Sequence, residues 1–372
     1  MAQTFFLKTF GCAQNTADSQ RLKTYYHQKG YQEIKSWKKA DLAIINTCIV
    51  RESAENRTYG LINNIHQHRL SATVSLPQII LTGCLVGAAY HDKTGKKMRE
   101  LKRRLPQVQK FLPIEKISFQ LAPLRDKKTA ALIPISAGCN NFCSYCIVPY
   151  ARGKEQSRPL KEIIKEVKQA IDQGFGEIVL VGQNVNSYGA DLTPPSLSKS
   201  LNKTRQATLF HHLLETIATL PGVKDLSFVS SNPWDFSDKL IKVIAQNKNI
   251  SRLLHLPVQS GDNQILKKMN RNYTANQYLN LIKKIRKAIP DIKLTTDILI
   301  GFPGEDEKAF QNTIKLCKKV GFKIAYLNKY SPRPGTLSAQ LYPNNISQKE
   351  KQRRWHVLEK LINQKSAKID LK

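Results

Sequence analysis

Short apolar runs rich in β-branched residues alternate with helical patterns along nearly the whole chain. Three of these runs occupy the first third, at residues 4–10, 41–47 and 77–83. Continuous apolar runs of this length are typical of strands in a parallel sheet that is covered on both faces. A helical pattern between the first two runs stops at Gly30. The alternation predicts an N-terminal α/β domain with a doubly wound parallel sheet.

The same alternation resumes after a segment at 113–130 that mixes proline, charged and small residues and is interpreted as a linker. Six further runs follow, at 131–136, 177–182, 225–230, 253–258, 294–301 and 324–330. Six strand-helix units make three quarters of an eightfold barrel, so we expect an open (β/α)6 partial TIM barrel with its chemistry at the carboxyl ends of the strands.

The predicted domains follow from these runs. We expect an N-terminal domain at 1–122, a partial barrel at 123–345 and a C-terminal basic helix at 346–372. The polar segment 190–206, which is rich in Pro, Ser and Lys, is interpreted as a long loop on the rim of the barrel.

Charge is the strongest compositional signal. The 372 residues include 59 Lys and Arg against 28 Asp and Glu, which gives a formal net charge of +31. Seven of the basic residues crowd into 93–104. This excess predicts a polyanionic partner, and it favours nucleic acid because phosphate neutralisation releases counterions. The alternatives are an anionic membrane surface for the whole chain and an ordinary solvated helix face for 93–104.

Targeting and membrane signals are not found in the sequence. The first residues lack the charged and apolar regions of a signal peptide, and no run approaches the ~20 apolar residues of a membrane span. We therefore expect a cytoplasmic protein without a membrane partner. In a reducing compartment the seven cysteines are interpreted as metal ligands or catalytic thiols rather than disulfides.

Three of these cysteines follow the first three apolar runs. Cys12, Cys48 and Cys84 each come one or two residues after a run ends. Ligand sites in an open parallel sheet gather at the carboxyl ends of the strands, so these cysteines are expected to meet in one crevice. The alternative for each one alone is a buried structural cysteine, which is the interpretation that we give to Cys317.

Three other cysteines lie on one short loop after the first barrel run. Cys139, Cys143 and Cys146 have the spacing C-x3-C-x2-C in the segment "GCNNFCSYC". Three thiolates on one loop can hold three corners of an iron–sulfur cube and leave the fourth iron open for a reactant. The alternative is a zinc site completed by a distant His or Cys, although zinc loops usually pair two C-x2-C segments.

The segment "CNNFCSYC" resembles the signature of the radical S-adenosylmethionine enzymes. The resemblance implies that S-adenosylmethionine binds the open iron, and that an electron passed through the cluster then releases a 5'-deoxyadenosyl radical. It also implies that Tyr145 lies by the adenine of the cofactor. Cofactor contacts are expected from two groups that follow barrel strands, namely Gly182, Gln183 and Asn184, and Gln259 and Ser260. The alternative for these residues is a set of ordinary turn formers.

The segments "FGCAQNTADSQ", "NTCIVRESAENR" and "TGCLVGA" resemble the N-terminal domain of the radical S-adenosylmethionine methylthiotransferases. This resemblance covers nearly the whole chain and implies that Cys12, Cys48 and Cys84 bind an auxiliary cluster, so that the protein holds two 4Fe-4S clusters. The segments "NTCIVRE" and "SPRPGT" are most similar to the branch that acts on isopentenylated adenosine at position 37 of tRNA. The implied reaction is methylthiolation at carbon 2 of that adenine.

The resemblance also implies partners. We expect tRNA as the substrate, a low-potential electron donor such as a flavodoxin or ferredoxin, and a monomer. Arg152 and Arg333 are candidates for contacts with RNA phosphate or substrate, and surface salt bridges are their alternative. Family members usually end in a small β-barrel RNA-binding module, the TRAM domain, and we expect this chain to lack it because the sequence stops at Lys372.

Other functions stay open from the sequence. Within the same family, the alternatives are a methylthiotransferase for threonylcarbamoyl-adenosine in tRNA or for a ribosomal protein. Outside it, the alternative is a non-catalytic RNA-binding protein in which the iron–sulfur centres only stabilise the fold.

Overall fold

The structure is a computed structural model that describes residues 3–50, 52–71, 77–117, 119, 121–125, 130–192 and 208–364. The chain forms two units, which are described separately. The first unit comprises Met1–Asn140 and Ile147–Gly182, and the second comprises Asn141–Cys146 and Gln183–Lys372. The domain boundaries predicted at 122/123 and 345/346 stay predictions.

The first unit alternates strands and helices, as its sequence pattern predicts. Its strands are β1 Thr4–Thr9, β2 Gln32–Glu33, β3 Leu42–Thr47, β4 Gln78–Gly83, β5 Lys110–Leu112, β6 Ala131–Pro134, β7 Ser136–Ala137, β8 Gln156–Ser157 and β9 Glu177–Val181. Its helices are α1 Ala13–Gln28, α2 Glu52–Ser71, α3 Cys84–Tyr90, α4 Lys96–Arg104, α5 Val148–Arg152 and α6 Leu160–Asp172.

Five strands of the first unit form a parallel sheet. Their order is β2-β1-β3-β4-β5, and every neighbouring pair is parallel. A sheet in this order reverses its winding direction between β1 and β3, which is where doubly wound folds open a crevice at the carboxyl ends of their strands. The predicted doubly wound sheet is therefore present.

The middle of this sheet is buried on both faces. All six residues of β3 are buried, and their alternate side chains enter two different apolar clusters. Ala43 and Ile45 pack in one cluster with Ile79 and Leu81, whereas Ile44 packs in the other. Side chains of successive strand residues point to opposite faces, so a continuous apolar run is what a sheet with helices on both sides requires.

A buried ionic cluster lies beside α6. The Glu166 carboxylate binds the guanidinium groups of Arg21 at 2.6 Å and Arg158 at 2.8 Å, and it also binds Arg125. Burial lowers the pKa of Arg21 and of Arg125, and the neighbouring arginines lower both further. One carboxylate thus compensates three cations, which makes Glu166 hard to replace.

The second unit continues the alternation. Its strands are β10 Asp225–Phe228, β11 Leu253–His255, β12 Lys293–Ile300 and β13 Ile324–Lys329. Its helices are α7 Phe210–Ala218, α8 Asp238–Gln246, α9 Asn263–Lys268, α10 Ala275–Ala288, α11 Glu307–Val320, α12 Leu337–Leu341 and α13 Gln348–Leu361. Strands β11, β12 and β13 form a parallel sheet in that order.

Several helices of the second unit begin at side-chain caps that local sequence supplies. The carboxylate of Asp262 accepts the backbone N–H groups of Gln264 and Ile265 at the start of α9. Thr274, Asp306 and Ser347 cap α10, α11 and α13 in the same manner. Each such cap stabilises its helix by about 1 kcal/mol, because it satisfies backbone donors that have no partner within the helix.

Each of the nine apolar runs contains a strand of the structure. The predicted C-terminal helix is present as α13, where Leu358 is buried and Trp355 Nε1 donates to the Leu327 carbonyl at 3.3 Å. Of the loop predicted at 190–206, residues 193–206 lie outside the described part of the chain. Within that part, no helix is both long enough and apolar enough to span a membrane.

Candidate metal centres

The first three cysteines lie at the carboxyl ends of three neighbouring strands. Strand β3 pairs with β1 and with β4, and these strands end close to Cys12, Cys48 and Cys84. Cys12 is exposed and immediately precedes α1, whereas Cys48 and Cys84 are buried. None of the chain's seven cysteines, all in the described ranges, forms a disulfide.

Asn15 holds this edge of the sheet together. Its Oδ1 accepts the backbone N–H of Cys12 at 3.3 Å and lies 3.4 Å from Cys12 Sγ. Its Nδ2 donates to the Thr47 carbonyl at 3.0 Å and lies 3.9 Å from Cys84 Sγ. Asn15 is fully buried, so one amide contacts Cys12, Cys84 and the residue before Cys48. The structure therefore brings the three cysteines together.

The turn from β4 into α3 requires a glycine. Gly83 has a φ of 86°, and a Cβ at this position would overlap the side chain of Asn46 and the backbone of Thr47. Only glycine adopts this left-handed conformation without strain and also leaves room for the neighbouring strand. The glycine thus sets the position of Cys84 at the first turn of α3.

A guanidinium group is hydrogen-bonded to Cys84. Arg152 Nε donates to Cys84 Sγ at 3.2 Å, and Arg152 Nη2 binds the Asp18 carboxylate at 2.7 Å. Burial raises the pKa of the Cys84 thiol to about 11, although Arg152 lowers it. Metal ligands must be deprotonated, so metal binding at Cys84 would release the thiol proton. The alternative of a surface salt bridge does not describe Arg152, which is buried.

The second trio lies on the loop that joins the two units along the chain. Cys139 belongs to the first unit, is buried, and donates its backbone N–H to the Gly153 carbonyl at 3.2 Å. Cys143 and Cys146 belong to the second unit and are half-buried, and the Cys146 N–H donates to the Cys143 carbonyl at 2.9 Å. That turn places Cys143 and Cys146 on a short, hydrogen-bonded stretch.

A second guanidinium group contacts Cys143. Arg271 Nη1 lies 3.5 Å from Cys143 Sγ, and Arg271 Nη2 donates to the Pro257 carbonyl at 3.0 Å. The Arg271 guanidinium stacks over the rings of Trp234 at 4.6 Å and Tyr273 at 5.4 Å. Burial would lower the pKa of Arg271, but Tyr273, Tyr145 and Cys143 raise it well above its usual value. The side chain therefore stays a cation beside this sulfur.

Tyr145 packs between the last two cysteines and an apolar cluster. Its ring is half-buried and meets the ring of Phe302 edge to face, with centroids 6.5 Å apart. The same cluster contains Met269 and Tyr330. The position of Tyr145 is thus fixed by packing within the second unit.

Two polar side chains after β9 have buried oxygens to which the described chain gives no partner. These atoms are Gln183 Oε1 and Asn184 Oδ1, and the Nδ2 of Asn184 donates to Asp235 Oδ2 at 2.8 Å. A buried acceptor without a donor is costly, and a bound ligand with N–H groups would satisfy it. Gly182, directly before them, is buried and ends the first unit.

The other predicted cofactor residues have protein partners. Gln259 has a left-handed φ of 64°, and its backbone exchanges hydrogen bonds with β12 through Asp297 and Leu299. Ser260 is fully buried, and its hydroxyl accepts the Asp262 N–H at 3.2 Å. The strain at Gln259 is the kind of backbone feature that clusters at ligand sites.

Arg333 is half-buried, and its carbonyl accepts the Thr336 hydroxyl at 2.8 Å. Cys317 is buried in α11 as predicted.

Among the described residues, no three His, Cys, Asp or Glu side chains are arranged to hold one metal ion. The thiolates of a cubane cluster each bind a different iron, so their sulfurs do not converge on one point.

Two protein-family profiles match the chain. Residues 133–317 match the Radical SAM superfamily, and residues 4–104 match the Uncharacterized protein family UPF0004. The first match contains Cys139, Cys143 and Cys146, and the second contains Cys12, Cys48 and Cys84.

Curated relatives match nearly the whole chain. The tRNA-2-methylthio-N(6)-dimethylallyladenosine synthase of Clostridium botulinum (strain Okra / Type B1) is 38% identical over 98% of this chain and 82% of the relative. The protein of the same name from Thermotoga petrophila is 37% identical over 97% of this chain and 82% of the relative. The chain belongs to this synthase family.

A solved structure shows the same fold as this member of the synthase family. The radical S-adenosylmethionine methyltransferase TsrM from Kitasatospora setae, with cobalamin and a [4Fe-4S] cluster bound, superimposes with a TM-score of 0.60. The comparison covers 91% of this chain and 77% of TsrM at 14% sequence identity, and it therefore concerns the fold alone. The predicted fold class, a parallel-sheet domain followed by a partial barrel, is confirmed.

Sequence reasoning missed three residues that shape the two candidate sites of this synthase-family chain and assigned a fourth to a different role. Asn15 and Asp18 in the first unit and Arg271 in the second were not predicted, whereas Arg152 was predicted in a different role. Asn15 had a local signal, since it lies three residues after Cys12 at the start of a helix. Arg271 had none, because it is 128 residues from Cys143.

Proposed function

We propose that this protein adds a methylthio group to carbon 2 of isopentenylated adenosine at position 37 of tRNA by a radical S-adenosylmethionine mechanism. The observation that carries the proposal is the identity of 37–38% to tRNA-2-methylthio-N(6)-dimethylallyladenosine synthases over almost the whole chain. The two cysteine trios fall in the two matched families, one trio in each. The protein is thus a transferase that modifies tRNA and uses S-adenosylmethionine and two 4Fe-4S clusters.

The cluster ligands are part of the proposal. Cys12, Cys48 and Cys84 would hold the auxiliary cluster, and Cys139, Cys143 and Cys146 would hold the cluster that binds S-adenosylmethionine. Three observations support this assignment: soft thiolate donors suit iron–sulfur clusters, the first trio is gathered around Asn15, and a guanidinium group is hydrogen-bonded to one sulfur of each trio. When bound, these groups supply a radical that removes hydrogen from a carbon too inert for a general base.

The cofactor-binding residues are Tyr145, Gly182, Gln183, Asn184, Gln259 and Ser260 in this proposal. The buried acceptors Gln183 Oε1 and Asn184 Oδ1 would receive N–H groups of S-adenosylmethionine. Tyr145 would contribute an apolar face for the adenine, and the left-handed backbone at Gln259 would present peptide groups. The part of the protein in all of this is to bind, orient and exclude water.

The tRNA contacts are proposed for the exposed basic residues of the first unit. In and around α4, Lys93, Lys96, Arg99, Lys102 and Arg103 are exposed, and no described carboxylate forms an ion pair with them. Uncompensated surface cations are what phosphate binding needs. Arg333 is proposed to contact the substrate. The proposed domains, at 1–122, 123–345 and 346–372, act together in a cytoplasmic monomer that receives electrons from a flavodoxin or ferredoxin.

The test uses anaerobically reconstituted protein with reductant, S-adenosylmethionine and tRNA from a strain that lacks the modification. We expect 5'-deoxyadenosine to form, and 2-methylthio-isopentenyladenosine to appear in the nucleosides detected by mass spectrometry. Threonylcarbamoyl-adenosine tRNA and ribosomal protein serve as matched substrates. Turnover with either of these alone would assign a different substrate. A protein that binds tRNA yet forms no 5'-deoxyadenosine would be a non-catalytic binder.

A further inference from the structure

Each cysteine trio has one buried arginine against one of its sulfurs. Arg152 donates to Cys84 Sγ at 3.2 Å in the first unit, and Arg271 lies 3.5 Å from Cys143 Sγ in the second. Each of these two arginine residues is only 7% exposed. Hydrogen bonds to the sulfurs and the net charge around a cluster set its reduction potential, because reduction adds a negative charge that nearby cations stabilise.

The two arginines differ in how their charges are balanced. Arg152 forms an ion pair with Asp18 at 2.7 Å, and Asp18 is itself buried. Their charges largely cancel, so Cys84 experiences a hydrogen bond with little net positive charge. The reduction potential of a cluster at this site would therefore depend mainly on the hydrogen bond from Arg152 to Cys84 and little on net charge.

Arg271 lies in a different environment. No described Asp or Glu forms an ion pair with it, and its partners are the Pro257 carbonyl, the Tyr273 hydroxyl and the rings of Trp234 and Tyr273. Aromatic faces stabilise a cation without cancelling its charge. The positive charge of Arg271 is therefore available to stabilise negative charge at Cys143.

From this contrast we infer that Arg271 makes the cluster of Cys139, Cys143 and Cys146 the easier of the two to reduce, whereas Asp18 cancels most of the corresponding effect of Arg152 at Cys84. Both arginines are positioning residues that act through the cysteine sulfurs. The inference rests on the cluster ligands named under the proposed function.

The electron balance is simple. One electron comes from an external low-potential protein donor and adds one negative charge to the cluster of the second trio. Arginine keeps its proton at every physiological pH, so no proton moves and no bond forms or breaks at Arg271. With both clusters bound, electrons would reach the site of Cys139, Cys143 and Cys146 first, and the site of Cys12, Cys48 and Cys84 would stay oxidised.

The test is a redox titration of the reconstituted full chain, followed by electron paramagnetic resonance. The signal that changes when S-adenosylmethionine is added belongs to the cluster of the second trio. We expect Arg271→Met to lower the midpoint reduction potential of this cluster. A tenfold smaller equilibrium constant for reduction corresponds to a shift of about 59 mV for one electron. Arg271→Lys keeps the charge and should restore part of the shift.

At the auxiliary site, one substitution is expected to raise the midpoint reduction potential. Asp18→Asn removes the charge that cancels Arg152 and should raise the auxiliary midpoint, whereas Arg152→Met should lower it. The matched control is Arg286→Met, since Arg286 is a partly buried arginine of the second unit that donates to the Val320 carbonyl. It should move neither midpoint.

The iron content distinguishes a failure of this inference from a failure of the proposed function. Wild-type protein with about eight iron atoms, but with midpoints unmoved by Arg271→Met and by Asp18→Asn, would overturn this inference and leave the proposed function intact. Wild-type protein that binds no clusters would overturn both. If Arg271→Met loses iron, the neutral variant Arg271→Gln takes its place, and normal iron with a wild-type midpoint in that variant would show that the charge of Arg271 has no effect and would also overturn the inference.

Discussion

The three cysteines of each trio are brought close together in two different ways. Cys12, Cys48 and Cys84 lie 36 residues apart in sequence and are brought together because β1, β3 and β4 are neighbours in one parallel sheet. Cys139, Cys143 and Cys146 lie on one loop of eight residues. The first site depends on long-range sheet topology, whereas the second depends mainly on local sequence. The difference teaches that cysteines without a local motif can still be brought together by the fold.

The charged groups around the two trios also differ. The first unit neutralises its buried charges with carboxylates, as in the Arg152–Asp18 pair and in the cluster around Glu166. At Arg271, the second unit uses aromatic rings and a carbonyl in their place. A buried cation without a carboxylate is costly, and it is typically retained where its charge has a use.

The largest expected effect separates the roles of the two trios. We expect Cys143→Ala to reduce both 5'-deoxyadenosine formation and methylthiolation to background, because the site proposed to bind S-adenosylmethionine would lose one of its proposed ligands. Cys48→Ala should keep 5'-deoxyadenosine formation and lose methylthiolation only. Iron should fall from about eight to about four atoms per chain in each variant.

Cys317→Ala is the matched control for these variants, because Cys317 is a buried cysteine of α11 outside both trios. It should keep iron and both activities. Loss of 5'-deoxyadenosine formation in Cys48→Ala protein that retains about four iron atoms would contradict the division of roles.

A smaller effect compares how the two units bury ion pairs. Glu166→Gln leaves three arginines without their shared carboxylate and should destabilise the first unit by about 3–5 kcal/mol. Glu305→Gln in the second unit should cost only about 1–2 kcal/mol, because Arg354 keeps its contact with Glu350 at 2.7 Å. Burial also raises the pKa of Glu305, so its charged form is less favoured in the folded chain.

Hydrogen exchange measured by mass spectrometry resolves these two effects. Faster exchange should be confined to α1 and α6 for Glu166→Gln, because Arg21 lies on α1 and Glu166 on α6, and to α13 for Glu305→Gln, because Arg354 lies on α13. Equal losses of protection for the two variants would contradict the larger cost expected for Glu166→Gln.

The smallest expected effect concerns the surface. Lys102→Glu with Arg103→Glu on α4 should weaken tRNA binding about tenfold at low salt and make the salt dependence shallower. Arg104 is left unchanged, because its guanidinium stacks on the Tyr59 ring at 4.0 Å. Filter binding over a range of salt concentrations measures both quantities.

Lys283→Glu with Lys287→Glu on α10 is the control, since it makes the same change in charge on an exposed face of the second unit. Equal weakening by the two double variants would contradict a specific contact at α4.

Much of the fold follows from local patterns in the sequence. The nine apolar runs become strands because continuous β-branched runs suit a sheet that is covered on both faces, as all six buried residues of β3 illustrate. The helix caps at Asp262 and Thr274 act over two or three residues and are readable from sequence for the same reason. The short strand β5 has only three residues and lacked a signal of its own.

The residues of the candidate sites also fall into two groups, those that local sequence indicates and those that distant contacts position. Six cysteines could be named from spacing and from their places after strands, and their ligand roles stay predictions. Asp18, Arg152 and Arg271 acquire their positions from contacts that span 134, 68 and 128 residues. Sequence separation of this size leaves no periodicity to detect, because the contact exists only after the strands and helices have packed.

The amino-acid sequence by itself determined which segments become strands and helices, which cysteines follow them and how large the positive charge is, since each of these depends on residue type and near neighbours. Only the tertiary structure decided which arginine contacts which sulfur and whether a carboxylate accompanies it. The physical reason is that the energy of a buried charge depends on every group packed around it, and those groups come from distant parts of the chain.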